Sequence, residues 1–208
     1  MADLPRRYGA PTTVWRRLKT WQEDGTWLRL WRTILGRLDG SFAPAKKGGE
    51  AVGLTRKGKG TKWMLMVDGQ GLPLGLHLAS AQQAEVTLAA QALDAVRVPR
   101  PHGRPKQRPE RLVADRAYDS AAFRHLLRRR GIGMCIPPKR RPKTWRPKRG
   151  RPVVARREEY ARRWVVERTF AWLGNYRRAL IRWERLLAVY QGFMTVALLL
   201  LCVNRLLR

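Results

Sequence analysis

Apolar residues recur along this chain at two spacings, and the spacing changes near residue 40. In residues 12–38, Trp15, Leu18 and Trp21, then Trp27, Trp31, Ile34, Leu35 and Leu38, follow one another every three or four positions. That period predicts two amphipathic helices. Glu23-Asp24-Gly25 forms a turn between them and Thr26 is suited to cap the second. A helix-turn-helix docking on DNA is one reading; the density of aromatic residues favours a helical hairpin packed on a domain. Beyond it the pattern shortens. Thr61–Val67 and Leu72–Leu78 read as strands joined by Asp68-Gly69-Gln70-Gly71, a hairpin turn.

Ala81–Val96 is predicted as a helix, with Ala81, Val86, Leu88, Leu93 and Val96 partly lining one face. Leu112-Val113-Ala114 reads as a short buried strand ending on Asp115. Asp119 or Ser120 caps a helix over Ala121–Arg130, stopped by Gly131. Gly133–Ile136 is a further short strand closed by Pro137-Pro138, and a helix over Tyr160–Asn175 opens a helical region that runs to Arg208. Strands and helices mixed in this order predict an α/β domain with a sheet part antiparallel and part parallel. The helical spacing that runs up to Leu38 leaves almost no strand before Asp39.

Leu186–Val203 is apolar for eighteen positions, the lower limit for a bilayer span. It contains Gln191 and Gly192 and lies between Arg185 and Arg205, and it reads as a helix packed on the sheet or a partner, with no membrane association.

Charge narrows the function. Lys and Arg outnumber Asp and Glu by 44 to 15, for a net +29, while 44% of residues are hydrophobic and nine are Trp. A folded core beneath that much positive charge points to a polyanionic partner, nucleic acid. The 208 residues suit one domain with a small helical appendage. Cys135 and Cys202 are far apart and flanked by apolar residues, which argues for buried thiols and against a disulfide framework or a zinc site. The first ten residues lack the apolar core of a signal peptide, so a cytoplasmic, nucleoid-associated location is expected.

The charge is concentrated in segments. A loop over residues 45–60 carries Lys46 and Lys47, and Pro/Arg-rich stretches follow at 97–111 and 139–151. Within the last, Lys148-Arg149-Gly150-Arg151-Pro152 has the form of an AT-hook core, in which Arg149 and Arg151 would enter a narrow minor groove. A generic solvated loop is an equal reading.

Fifteen carboxylates are few enough to weigh singly. Asp39 precedes a glycine at the start of the sheet, Asp115 ends a buried apolar triplet, and Glu167 shares a helical face with Tyr160 and Arg163. Each alone has an ordinary reading, as a turn residue or as an ion pair with Arg116, Arg163 or Arg168. Together, two strand-end aspartates and a helical glutamate form the oxygen-only set that holds two divalent metals for phosphoryl transfer.

The segments DGSFAPAKKGG, GKGTKWMLMVDGQGLPL, RPERLVADRAYDS and VERTFAWLGNYRR, in that order, resemble insertion-sequence transposases of the DDE type, specifically insertion-sequence family 5. The resemblance covers nearly the whole chain. It implies an RNase H-like mixed sheet flanked by helices over residues 39–208, preceded by a short N-terminal helical hairpin over residues 1–38, a shortened DNA-binding region. It implies Asp39, Asp115 and Glu167 as catalytic ligands of two Mg²⁺ or Mn²⁺ ions, with Tyr160 and Arg163 completing a Tyr, Arg, Glu signature. The lysine often found seven residues after the glutamate is Gly174 here, so Arg177 or Arg178 would take its phosphate contact. The implied activity is nicking at the terminal inverted repeats of an element and strand transfer into target DNA by a homodimer or larger assembly. The alternative, set by the weak strand before Asp39, is a truncated DNA-binding remnant without activity.

Overall fold

A ten-residue strand, Leu35–Pro44 (β1), carries Asp39 at its middle. In this computed structural model, which describes residues 35–98, 103–140 and 156–206 together with Ala10 and Thr13, the elements after β1 are Gly53–Thr55 (β2), Gly58–Val67 (β3), Pro73–Ser80 (β4), Glu85–Asp94 (α1), Arg111–Val113 (β5), Ala121–Arg129 (α2) and Gly133–Cys135 (β6). Helices Arg157–Ala161 (α3), Trp164–Leu173 (α4), Arg177–Leu180 (α5) and Leu187–Leu206 (α6) follow. The predicted N-terminal hairpin up to Ile34, and Arg149 and Arg151 of the hook-like segment, lie outside the described residues.

The expectation that almost no strand precedes Asp39 is therefore wrong. Leu35 and Leu38 are three apart and extend the helical spacing of the preceding segment, but partners distant in sequence decide their conformation. β1 pairs antiparallel with β3 from Arg37↔Val67 to Pro44↔Gly60, and parallel with β5 from Leu35↔Arg111 to Arg37↔Val113. A strand flanked on both sides pairs the backbone groups it presents to each neighbour, where an edge strand pairs only half of them, and this outweighs local propensity. With this strand in place, the part of the remnant reading that rested on a weak first strand falls away.

β4 and β2 share the far edge of β3, both antiparallel to it, and β6 lies parallel beyond β5. The order β4-β3-β1-β5-β6, antiparallel in its first three strands and parallel in the rest, is the RNase H-like mixed sheet.

Both faces of the sheet are covered. Along β3, Met64 and Met66 enter one apolar cluster with Leu88, Leu93, Phe123 and Leu127 of α1 and α2. Trp63, Leu65 and Val67 enter the other, with Val166, Leu173, Tyr190 and Met194 of α4 and α6. Strict alternation with apolar residues on both sides is what a central strand requires. Each fully buried Leu or Met contributes about 1.5–3 kcal/mol of burial.

Ser120 caps α2, its side chain accepting from the Phe123 amide, and Gly131 ends it at φ +63°, a backbone angle that glycine adopts without strain. α1 starts four residues later than the apolar pattern suggests, because residues 81–84 form the turn out of β4. The predicted helix over Tyr160–Asn175 is two helices, α3 and α4. Between them the amides of Arg163, Val165 and Val166 bond to carbonyls three residues back, a tight 3₁₀-like turn.

Candidate active site

β1 and β5 set the first two carboxylates. Their last paired residues are Arg37 and Val113, and Asp39 and Asp115 each stand two residues further along adjacent parallel strands. Asp115 follows β5 and caps the short helical turn Arg116–Tyr118, its Oδ1 accepting from the Ala117 amide at 2.5 Å. Asp39 Oδ1 accepts from the Gly40 amide at 2.9 Å.

Helix α4 brings the third. Arg163, at its N-cap, donates from Nη2 to Glu167 Oε1 at 2.5 Å and from Nη1 to Asp39 Oδ2 at 3.2 Å. One guanidinium thus links a strand carboxylate to a helix carboxylate 128 positions later in the chain. Tyr160, half-buried on α3, is close enough to act electrostatically on Arg163. The break between α3 and α4 is pinned from the sheet: buried Arg37 donates to the Arg162 carbonyl at 2.9 Å and to the Asp68 carbonyl at 3.2 Å.

The electrostatics follow from this packing. Burial pushes the Asp39 carboxyl up, Glu85 and Asp115 add to the effect, and the Gly40 amide and Arg163 offset only part of it; the result is about 6. Partial burial opposes the charge on Arg163, but Glu167 and Asp39 outweigh it and its pKa is raised. A carboxyl whose proton affinity is raised by burial and by neighbouring carboxylates stands in a site that favours an added cation.

Glu85 was not visible as a site residue in the sequence. It opens α1, and its Oε2 accepts from the buried Tyr118 hydroxyl at 3.1 Å while Lys62 Nζ lies 3.9 Å from Oε1. A Cβ on Gly40 would come within 2.6 Å of the Glu85 carboxyl carbon, so the glycine beside Asp39 leaves room for it. The available signals were that Gly40 itself and a lone acid among neutral residues in AQQAEV.

Of the residues expected to bind DNA, Tyr160 and Arg163 lie at this site. The other described ones do not join it. Lys46, Lys47, Arg177 and Arg178 are all exposed, and the Ala45↔Arg182 bridge brings the first pair close to the segment after α5. That end of β1 is five residues from Asp39, about 17 Å at strand rise. Trp164 is 51% exposed, with Arg168 stacked 4.8 Å from its ring. Among the described residues no three His, Cys, Asp or Glu side chains are gathered as a metal cluster, and Glu167 turns to Arg163.

The family model of the transposase DDE domain matches residues 33–202, from just before β1 into α6. The chain belongs to the DDE-domain transposase family. It is also 37% identical over 156 residues to the "Putative transposase for insertion sequence element IS402" of Burkholderia cepacia, a match that covers 72% of this chain and 65% of that protein. The chain thus spans slightly under two thirds of the length of this relative.

Two solved structures are similar in part. The piggyBac transposase synaptic complex with hairpin DNA aligns with 81% of this chain and 45% of its own, at 9% identity and a TM-score of 0.49. The Mos1 strand transfer complex aligns with 64% and 42%, at 17% identity and a TM-score of 0.29. Both scores are too low to add to the fold, which rests on the strand order above.

Proposed function

We propose that this chain is the catalytic part of an insertion-sequence transposase, of family 5, that cuts DNA at the terminal inverted repeats of its element and joins the freed ends to target DNA. The observation that carries the reading is the register of β1 and β5, which sets Asp39 and Asp115 side by side with Glu167 tied in through Arg163. In the first step water forms a bond to phosphorus and the strand's 3′-oxygen leaves as a hydroxyl. In the second that hydroxyl forms the bond to a target phosphorus and displaces the target's 3′-oxygen.

The donor set suits hard divalent ions, being carboxylate oxygen throughout, with a raised Asp39 and a guanidinium between two of its members. Asp39, Asp115 and Glu167 would hold two Mg²⁺ or Mn²⁺ ions, which supply polarisation of the scissile phosphate and acidification of bound water. Arg163, released from its carboxylates, and Tyr160 beside it would orient that phosphate. Lys46, Lys47, Arg177 and Arg178, with Arg149 and Arg151, would hold flanking DNA by salt-dependent phosphate contacts. The partners are terminal-repeat and target DNA and at least one further copy at a synapse, in the cytoplasm at the nucleoid.

The test is a nicking assay on terminal-repeat DNA with Mg²⁺. Asp115→Asn retains an oxygen to cap Ala117 and should fold, yet nicking should be lost. A Mg²⁺-dependent nick that survives this substitution would sink the assignment of the three carboxylates.

A further inference from the structure

The turn between β3 and β4, residues 69–72, is docked on helix α4, where the Thr169 hydroxyl donates to the Gly71 carbonyl at 2.8 Å. Between this turn, α4 and the end of α6 lies an open cleft of about 550 Å³, lined by Gln70, Trp164 and three arginines, Arg162, Arg168 and Arg205. Trp164, Arg168 and Trp172 stand four apart on α4 and so share one face. The Arg168 guanidinium lies 4.8 Å from the Trp164 ring and 4.6 Å from the Trp172 ring, and Arg205 stacks 3.6 Å from Trp172. Two indoles therefore hold two guanidinium groups in place.

No acid answers these charges within the described lining. The two nearest in sequence are engaged elsewhere: Asp68 Oδ1 accepts from the Gln70 and Leu72 amides at 2.8 Å, and Glu167 pairs with Arg163. Burial lowers the pKa of Arg37, and Arg162 and Arg168 lower it further against the pull of Asp68. Arg168 donates from Nη2 to the Gln70 carbonyl at 2.7 Å, while its Nε, shut off from solvent, meets no acceptor among the described residues. Like charges gathered in one cleft repel one another, and a buried donor left unpaired is destabilising. An anion with several oxygens relieves both.

We propose that this cleft binds a backbone phosphate of the DNA strand being cut, held by Arg162, Arg168 and Arg205 beside the linkage that reacts. The inference rests on the proposed function. Arg162 immediately precedes Arg163 and Arg168 immediately follows Glu167, so the cleft lies one residue, about 100° of turn, round α4 from the carboxylate site. Arg37 fixes the two together. It bonds the carbonyls of Arg162 and Asp68, which lead into the two walls of the cleft, and stands two residues before Asp39 on β1. A strand whose scissile phosphate lies at Asp39 and Asp115 therefore has a neighbouring phosphate in reach of the cleft. Planar guanidinium groups match phosphate oxygens in pairs, and rings stacked on their faces leave the N–H edges to point at those oxygens.

The test measures binding of the full chain, without Mg²⁺, to terminal-repeat duplexes in which single linkages around the nicked one are made neutral as methylphosphonates. One neutral linkage flanking the nick should weaken wild-type binding by on the order of tenfold and leave Arg162→Gln/Arg168→Gln nearly unaffected. Arg162→Gln alone should show part of the same coupling. It is also the control for folding, because Arg162 is exposed and Arg37 bonds its carbonyl, not its side chain. A salt series on a duplex of unrelated sequence reads the cleft without the terminal repeat: the double variant should lower the slope by roughly one phosphate contact. A wild type that keeps this slope difference but does not prefer terminal-repeat DNA would sink the proposed function and leave the phosphate site standing. Methylphosphonate penalties of equal size in the wild type and both variants would overturn the site. So would an unchanged salt slope, and inorganic pyrophosphate that raised the melting temperature of the wild type alone would then assign the cleft to a small phosphate ligand.

Discussion

Arg163 stands between Asp39 and Glu167, 3.2 Å from an oxygen of the first and 2.5 Å from an oxygen of the second. A cation at that position neutralises the two carboxylates, and a divalent ion would compete with it for the same oxygens. Arg163→Gln removes the competitor. The Mg²⁺ concentration needed to raise the melting temperature should fall several-fold, while on the proposed function, in which Arg163 orients the phosphate, nicking should fall by on the order of a hundredfold. Mg²⁺ binding that weakens in step with activity would show instead that the guanidinium holds the carboxylates together for the ions.

A second expectation concerns Asp39 and pH. Its carboxyl keeps a proton to about pH 6 in the folded chain, against an ordinary value of 3.8. The folded state therefore binds that proton more tightly than the unfolded chain. The stabilisation is complete below the ordinary value and is lost as pH rises through about 6. Above that the ionised group costs on the order of 2–3 kcal/mol. Asp39→Asn is neutral throughout, so at neutral pH it should be inactive yet more stable by on the order of 1–3 kcal/mol, and the gain should shrink towards about pH 4. Thermal unfolding across this range measures it, and Mg²⁺ should raise the melting temperature of the wild type but not of the variant.

Much of the fold was legible because its signals are local. Alternation marked β3 and β4, Ser120 and Gly131 bounded α2, and the Asp68–Gly71 turn was readable from its residues. The strand around Asp39 was not, because its conformation is set by β3 and β5, which contact it from later in the chain. For the same reason the break between α3 and α4 was hidden: it is held by Arg37, 125 residues away from the Arg162 carbonyl it bonds. The three carboxylates could be picked out among few acids by their sequence settings, although Asp39 lies mid-strand where a strand end was expected. Glu85 could not, since what brings it to the site is the packing of α1 beneath Gly40.

Glu85 leads to a third expectation. Its charge is among the influences that raise Asp39, and its oxygens are held by Tyr118 and Lys62. Glu85→Gln keeps an acceptor for the Tyr118 hydroxyl and removes the charge, so the Asp39 carboxyl should titrate at lower pH. Carboxyl-resolved NMR titration would read the change directly. Gly40→Ala acts on the same contact through shape. Its methyl would meet the Glu85 carboxyl at 2.6 Å, and displacing that side chain from Tyr118 should cost on the order of 1–3 kcal/mol in unfolding free energy.

The neighbouring arginines Arg177 and Arg178 should separate in DNA binding. Both are exposed on α5, but Arg178 is engaged within the protein, 3.1 Å from Glu184 and stacked 5.2 Å from the Phe193 ring. A guanidinium already held by a carboxylate and a ring gives up those contacts on turning to a phosphate. Arg177→Gln should therefore weaken binding about equally for all sequences and reduce the salt dependence of the affinity by roughly one phosphate contact. Arg178→Gln should leave that slope nearly unchanged and lower the melting temperature slightly, because it loosens α5 against α6. Affinity measured across a salt series distinguishes the two. Equal slopes for both variants would mean that Arg178 leaves Glu184 when DNA binds and takes the phosphate contact itself.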